Sequence, residues 1–143
     1  MKQPEPPEPP DPRHPSKSAI RSPNSQISSF AFAFAGLFYV FRTQRNFRIH
    51  IAIALVMAFV GLLLGLSLTE WAMFGVMVTV VLAAEMTNTM VEALVDLVSP
   101  GYHPLAKVSK DVAAGVVLLT AIGAVVVGLL IFGPKLLAAL RLV

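Results

Sequence analysis

The chain has 143 residues, of which 56% are hydrophobic and 13% are charged, and its formal net charge is +3. The charged fraction is about half of that of an ordinary soluble domain. A soluble domain of this length could not bury so much apolar surface, so lipid is the expected solvent. The chain has no cysteine, which excludes a disulfide framework and a thiolate metal site.

The first segment, residues 1–24, holds eight of the eleven prolines and almost no large apolar side chain. Such a segment cannot bury enough surface to offset the entropy lost on ordering, so we predict a disordered cytosolic tail. It lacks the apolar run and small-residue cleavage site of a signal peptide. A tail that is merely solvated and a tail whose prolines bind a partner are the two alternatives.

Residues 25–48 are predicted to form an amphipathic helix in the cytosolic membrane interface. The stretch "FAFAFAG" alternates with period two, as strands do, but alanine is not a polar partner. The large apolar side chains also follow a helical spacing, at Phe30, Phe34, Leu37, Phe38 and Phe41. The basic end, "RTQR", would face lipid headgroups. A fourth, partly inserted helix is the alternative.

Three apolar spans follow, at residues 49–66, 71–98 and 112–132. Each is close to the roughly 20 residues that a helix needs to cross the hydrocarbon core. Residues 49–133 are therefore predicted to form a three-span membrane core, with a C-terminal tail at 134–143. Small residues recur in the first and third spans and are expected to serve helix packing, at Gly61, Gly65, Ala113, Ala114, Gly115, Gly123 and Gly128.

The distribution of lysine and arginine predicts the orientation. Nine of the eleven lie before the first span or between the second and third, whereas the "SLTE" loop after the first span carries none. The N-terminus and the second loop are therefore predicted to be cytosolic. Lys135 and Arg141, which follow the third span, run against this assignment.

A polar stripe interrupts the second span, in the sequence "EMTNTMVEALVD". Its members follow one another at spacings of three, four and four residues, which places them within about 80° on one helix face: Glu85, Asn88, Glu92 and Asp96. If Trp71 marks the outer interface, Glu85 lies about 21 Å inward and Glu92 about 32 Å. Acids at such depth face a protein interior or a wet cavity. A polar seam between helices is the alternative reading.

The segment "HPLAKVSKD" places Lys107 and Lys110 at the cytosolic start of the third span. Lysine suits phosphate, and a carboxylate at the level of Glu92 can hold magnesium, so nucleotide binding is indicated. Topology signalling is the other reading of the lysines, and helix capping is the other reading of Asp111. Neither a GxxxxGK[ST] loop nor a kinase glycine-rich loop occurs in the sequence.

These residues carry a family resemblance. "AEMTNTMVEALVDLV" followed by "HPLAKVSKDVAAGVVLL" resembles the prokaryotic diacylglycerol kinase family over about residues 28–132, and "FRTQRNFRIH" resembles its undecaprenol kinase-like branch. The resemblance implies an all-α homotrimer of three-span subunits with an interfacial helix and active sites shared between subunits. It also implies transfer of the ATP γ-phosphate to a lipid hydroxyl at the cytosolic face of a prokaryotic inner membrane, with Mg²⁺ and no nucleic acid.

By the same resemblance, Glu85 is the general base, and Asn88 supports the lipid substrate. Glu92 binds Mg²⁺, while Lys110 and Asp111 engage the nucleotide, with Lys107 as a further candidate. Gly36 corresponds to a glycine of the surface helix at which backbone and nucleotide come close.

Residue 44 departs from the family pattern, because Gln44 stands where a second magnesium-binding glutamate is expected. An amide oxygen can coordinate Mg²⁺ but brings no negative charge. The sequence thus predicts an ATP-dependent membrane lipid kinase acting on undecaprenol or diacylglycerol. The alternative is a non-catalytic trimeric membrane protein with an ion-handling or scaffold role.

Overall fold

A computed structural model describes the chain over residues 23–140, with side chains from residue 28 onward. The predicted tail lies outside these residues, apart from its last two positions, where the first helix begins. All regular elements of the described part are helices, as predicted: α1 Pro23–Thr43, α2 Arg45–Leu64, α3 Leu68–Val98 and α4 Pro104–Ala139.

The chain separates into two units, Met1–Phe38 and Tyr39–Val143, so most of α1 belongs to one and α2–α4 to the other. Within the first unit, "FAFAFAG" is helical and its phenylalanines are exposed. The helical spacing, rather than the period-two alternation, is therefore confirmed.

The junction of α1 and α2 lies at Gln44, whose backbone is extended (φ −98°, ψ 116°). Residues 45–48 accordingly begin the first apolar helix and do not continue the predicted interfacial helix. The last turn of α1 closes locally, because the Thr43 hydroxyl donates to the Tyr39 carbonyl and the Gln44 N–H donates to the Val40 carbonyl.

A tight turn joins α2 to α3. Gly65 ends α2 in the left-handed region (φ 64°), and the N–H groups of Gly65 and Leu66 return to carbonyls of the last turn. Ser67 and Glu70 form a reciprocal capping box at the start of α3. The two helices therefore run antiparallel as a hairpin.

The core next to this turn is built from aromatic and branched side chains. Trp71, Phe74 and Phe132 stack edge to face in sequence, with ring centroids 5.8 and 6.1 Å apart. Gly61 lies against the Trp71 ring, since a Cβ at this position would stand 3.1 Å from a ring carbon. The packing role predicted for Gly61 is confirmed, and it brings α2 close to α3.

Helix α4 extends beyond the predicted third span at both ends. His103 caps it through its ring nitrogen, Pro104 occupies the first turn, and the helix passes through Pro134 to Ala139. Hydropathy marks the lipid-crossing part of a helix, whereas caps and proline mark where it begins. Asp111 lies inside α4, so the capping role considered for it is wrong, and residues 134–139 of the predicted C-terminal tail are helical.

Lys135, which runs against the predicted charge distribution, has local partners. Its ammonium lies 3.2 Å from a Glu70 carboxylate oxygen and donates to the Gly65 carbonyl at 3.2 Å. It thereby ties α4 to the α2–α3 turn.

Three of the described helices, α2, α3 and α4, are long and apolar enough to cross a membrane. Few apolar side chains are buried among the described residues, and large apolar side chains along all three helices are exposed. The predicted all-α architecture with three spanning helices is confirmed, and its exposed faces suit lipid or another chain.

We expect Gly61→Val to lower the melting temperature of the detergent-solubilised protein. The new side chain would collide with Trp71, and overpacking of this kind costs about 1–3 kcal/mol. Gly75→Val in α3 is the matched control, because no described atom lies within 4 Å of a Cβ placed there. Equal melting temperatures for the two variants would contradict the close approach at Gly61.

Candidate functional site

The polar stripe of α3 is graded in burial along the helix. Glu85 is 2% exposed and Thr89 is 6% exposed, whereas Asn88 and Glu92 are half-buried and Asp96 is exposed. The predicted common face for Glu85, Asn88 and Glu92 is matched by this gradient, with Glu85 as the deepest member. The polar side chains of the stripe are thus increasingly buried from the end of α3 toward Glu85.

Hydrogen bonds within the stripe hold some of its polar atoms, while two buried oxygens have no hydrogen-bond partner in the described part of the chain. The Asn88 amide donates to Glu92 Oε1 at 3.0 Å, and the Thr89 hydroxyl donates to the Glu85 backbone carbonyl at 3.0 Å. Glu85 Oε1 and Asn88 Oδ1 are buried and have no hydrogen-bond partner among the described residues. Buried acceptors without donors are costly, so they mark places where a ligand or a small rearrangement is expected.

His50 of α2 faces Glu85. Its Nε2 lies 3.3 Å from Glu85 Oε1, and the two side chains are 24% and 3% exposed. The pair is at ion-pair distance, but the ring is not aligned for a hydrogen bond, since the same oxygen has no partner by hydrogen-bond geometry. His50 was not identified as a candidate from the sequence. The available signal was an ionisable side chain inside an apolar span, which is a site indicator in its own right.

The contact between His50 and Glu85 sets the register of the antiparallel hairpin. Gln44 precedes His50 by six residues and Glu92 follows Glu85 by seven, which is about 9 Å and about 10.5 Å of helix rise. Gln44 and Glu92 therefore stand at nearly the same level along the hairpin. The Gln44 side chain makes no capping hydrogen bond to α2, although the residue occupies the N-cap position.

The lysines of α4 are paired with acids. Lys110 lies 2.5 Å from an Asp96 oxygen across the α3–α4 interface, and Lys107 lies 2.5 Å from an Asp111 oxygen one turn away on α4. Both pairs are partly or largely exposed, so their charges remain available to exchange partners in water. The Lys110 contact also brings the start of α4 to the end of the stripe.

The donor set near Glu92 suits a hard cation. Carboxylate and amide oxygens are the ligands that Mg²⁺ takes, and Mg²⁺ is usually held by one or two carboxylates together with substrate phosphates. Glu92, the free Asn88 Oδ1 and Gln44 supply such oxygens at one end of the bundle. The described residues contain no group of three or more His, Cys, Asp or Glu side chains that could hold a metal alone. These residues therefore fit a cation that shares its coordination with phosphate.

The sequence-predicted residues fall into two sets. Glu85, Asn88 and Glu92 share one face of α3, and Lys110 joins them through Asp96. Gly36 lies in the first unit, where no described atom is within 4 Å of a Cβ built on it. Its predicted approach to a nucleotide stays a prediction, as do the individual roles of the other residues.

Comparison with known proteins gives one consistent family. The model of the prokaryotic diacylglycerol kinases matches residues 31–132. The chain is 40% identical over 121 residues to "Undecaprenol kinase" of Bacillus subtilis, covering 85% of this chain and 98% of the relative. It is 42% identical over 123 residues to "Diacylglycerol kinase" of Synechocystis, covering 85% of this chain and 70% of the relative. A "Diacylglycerol kinase" of Pseudomonas aeruginosa is 35% identical over 98 residues, covering 67% of this chain and 80% of the relative.

Proposed function

The chain belongs to the prokaryotic diacylglycerol kinase family, and from that premise we propose that it transfers the γ-phosphate of ATP to a lipid hydroxyl at the cytosolic membrane face. The observation that carries this proposal is the graded stripe of α3, which runs from a buried carboxylate to an exposed acid–lysine pair. The two substrates differ in the same way, since the lipid carries its hydroxyl on apolar tails that stay in the membrane, whereas the nucleotide phosphates are charged and arrive from water.

Glu85 is proposed to act at the deep end of the stripe. In the reaction, the acceptor oxygen forms a bond to the γ-phosphorus while the bond from that phosphorus to the bridging oxygen of ADP breaks. The acceptor hydroxyl loses its proton, and the Glu85 carboxylate is the base that takes it. Because Glu85 is 2% exposed, its side chain or those around it must shift for the hydroxyl to reach it.

The charged end of the stripe is proposed to hold the nucleotide. Lys110 would exchange Asp96 for a phosphate oxygen, and Lys107 would exchange Asp111 in the same way. Glu92, with Asn88 Oδ1 and Gln44, would hold a magnesium ion, which when bound neutralises charge on the phosphates. Asn88 keeps the Glu92 carboxylate oriented through its amide hydrogen bond.

Orientation and assembly are part of the same proposal. Arg45, Arg48, Lys107 and Lys110 cluster where α2 and α4 begin, whereas Lys135 at the opposite end is paired with Glu70. This asymmetry supports a cytosolic N-terminus in the inner membrane of a prokaryote. The exposed apolar faces of α2–α4 are compatible with the homotrimer that the family resemblance implies.

The acceptor is tested by offering undecaprenol and diacylglycerol side by side to the purified protein with radiolabelled ATP. The named relatives act on one or the other, so transfer of label to either lipid supports the proposal. The non-catalytic alternative is favoured by the presence of Gln44 where the family pattern has a magnesium-binding glutamate. Nucleotide binding without transfer of label to either lipid would establish that alternative.

Glu85→Gln is expected to reduce the rate of lipid phosphorylation by about 100-fold or more, since the amide keeps the shape of the side chain but cannot take a proton. The initial rate at saturating ATP and lipid checks this, with Glu70→Gln at the other end of α3 as control. A rate within a few-fold of the parent would remove Glu85 as the base.

Glu92→Ala and Lys110→Ala are each expected to weaken Mg²⁺–ATP binding more than lipid binding, because both side chains lie toward the charged end of the stripe. Competition binding in detergent measures the nucleotide affinity. Glu70→Ala and Lys135→Ala are the matched controls, since those residues form a comparable pair at the opposite end. Unchanged nucleotide affinity in both test variants would place the phosphates elsewhere.

Gln44→Glu is expected to lower the Mg²⁺ concentration for half-maximal activity, because a charged oxygen would join Glu92 at the same level. Titration of Mg²⁺ against lipid phosphorylation in parent and variant checks this. An unchanged or higher Mg²⁺ requirement would show that residue 44 does not face the ion.

A further inference from the structure

His50 is the described residue that connects the buried carboxylate of Glu85 to an apolar cavity. The cavity has a volume of about 500 Å³ and is lined by side chains of α2, α3 and α4. Among the described residues that line it, His50 alone carries a side-chain nitrogen or oxygen, the others being aliphatic, aromatic, methionine or glycine. The same imidazole lies 3.3 Å from Glu85 Oε1. It therefore stands where apolar space meets the candidate base.

The Glu85 carboxylate needs a donor at this position. Its Oε1 is buried and has no hydrogen-bond partner in the described part of the chain. A buried anion without hydrogen bonds is strongly disfavoured, so a nearby N–H has a large effect on where its oxygens point. The His50 imidazole lies 3.3 Å from this oxygen without being aligned to it, and a small rotation of the ring would bring an Nε2–H into line with Oε1.

We propose that His50 is a positioning residue for Glu85, whose Nε2–H holds Oε1 and so directs the second carboxylate oxygen toward the acceptor hydroxyl. This inference rests on the proposed role of Glu85 as the base. A base must lie within hydrogen-bond reach of the proton it removes, and a displacement of about 1 Å can reduce the rate about 100-fold. His50 itself transfers no proton in this account, and its contribution is to the orientation of Glu85.

Two substitutions separate the N–H from the bulk of the side chain. His50→Leu keeps apolar volume but removes the donor, and we expect kcat to fall about 10-fold or more with KM values for ATP and lipid within about twofold of the parent. His50→Gln places an amide N–H near the position of Nε2, so it is expected to recover most of kcat. His103→Gln, at the exposed start of α4, is the control. Equal losses in His50→Leu and His50→Gln would overturn the proposal.

A double-mutant cycle tests whether His50 acts through Glu85. In the Glu85→Gln background, His50→Leu is expected to change the residual rate by less than about twofold, because no carboxylate remains to be positioned. A loss as large as in the parent background would show that His50 acts independently, which contradicts the proposal.

The imidazole ¹⁵N resonances of the nucleotide-free protein provide a measurement that does not depend on activity. The chain has three histidines, so the His50 signals are those lost in His50→Gln. They are expected to move in Glu85→Gln and to stay in place in the Glu70→Gln control. Unmoved His50 signals in Glu85→Gln would show that the two side chains do not interact.

Different outcomes would overturn the role of Glu85 and the role of His50. If Glu85→Gln keeps the parent rate, the proposed base is wrong and the role of His50 falls with it. If Glu85→Gln is inactive while His50→Leu keeps the parent kcat, the proposed function stands and the inference about His50 is overturned. Melting temperatures of all variants identify any that lose activity by unfolding, and His50→Gln then carries the test.

Discussion

A carboxylate placed inside a bundle of apolar helices is the feature on which the rest of this structure depends. Removing an ion from water is costly, so Glu85 must be surrounded by groups that compensate or by groups waiting for a ligand. Thr89, Asn88 and Glu92 continue its face toward the helix end, and His50 meets it from α2. These polar side chains of α3 therefore form a continuous row from the end of the helix to the buried Glu85 Oε1.

The antiparallel packing of α2, α3 and α4 brings that row into register with the other charged groups. The turn at Gly65 and the close approach of Gly61 to Trp71 fix α2 against α3 at one end. The Lys135–Glu70 pair fixes α4 at the same end. The register set there carries Gln44 to the level of Glu92 and Lys110 to Asp96 at the other end.

The sequence was sufficient for the helical class, the three spans and the α3 stripe, because hydropathy and helical periodicity depend on local spacing alone. The predicted third span, residues 112–132, is shorter than α4 at both ends, because hydropathy does not detect the cap at His103 or the continuation of the helix through Pro134. The sequence also missed His50, because its pairing with Glu85 joins residues 35 positions apart and follows from packing between helices. The lysines were identified, but their pairing with Asp96 and Asp111 required the structure.

Transfer of phosphate from ATP to a lipid alcohol can be followed by ³¹P NMR of the purified protein with Mg²⁺, ATP and lipid, which measures the stoichiometry of the reaction. A lipid kinase forms one lipid phosphomonoester for each ADP, so a phosphomonoester resonance is expected in the organic phase in equal amount to the ADP formed. ADP formation with inorganic phosphate and no lipid phosphomonoester, or no turnover of ATP with any lipid alcohol, would contradict it.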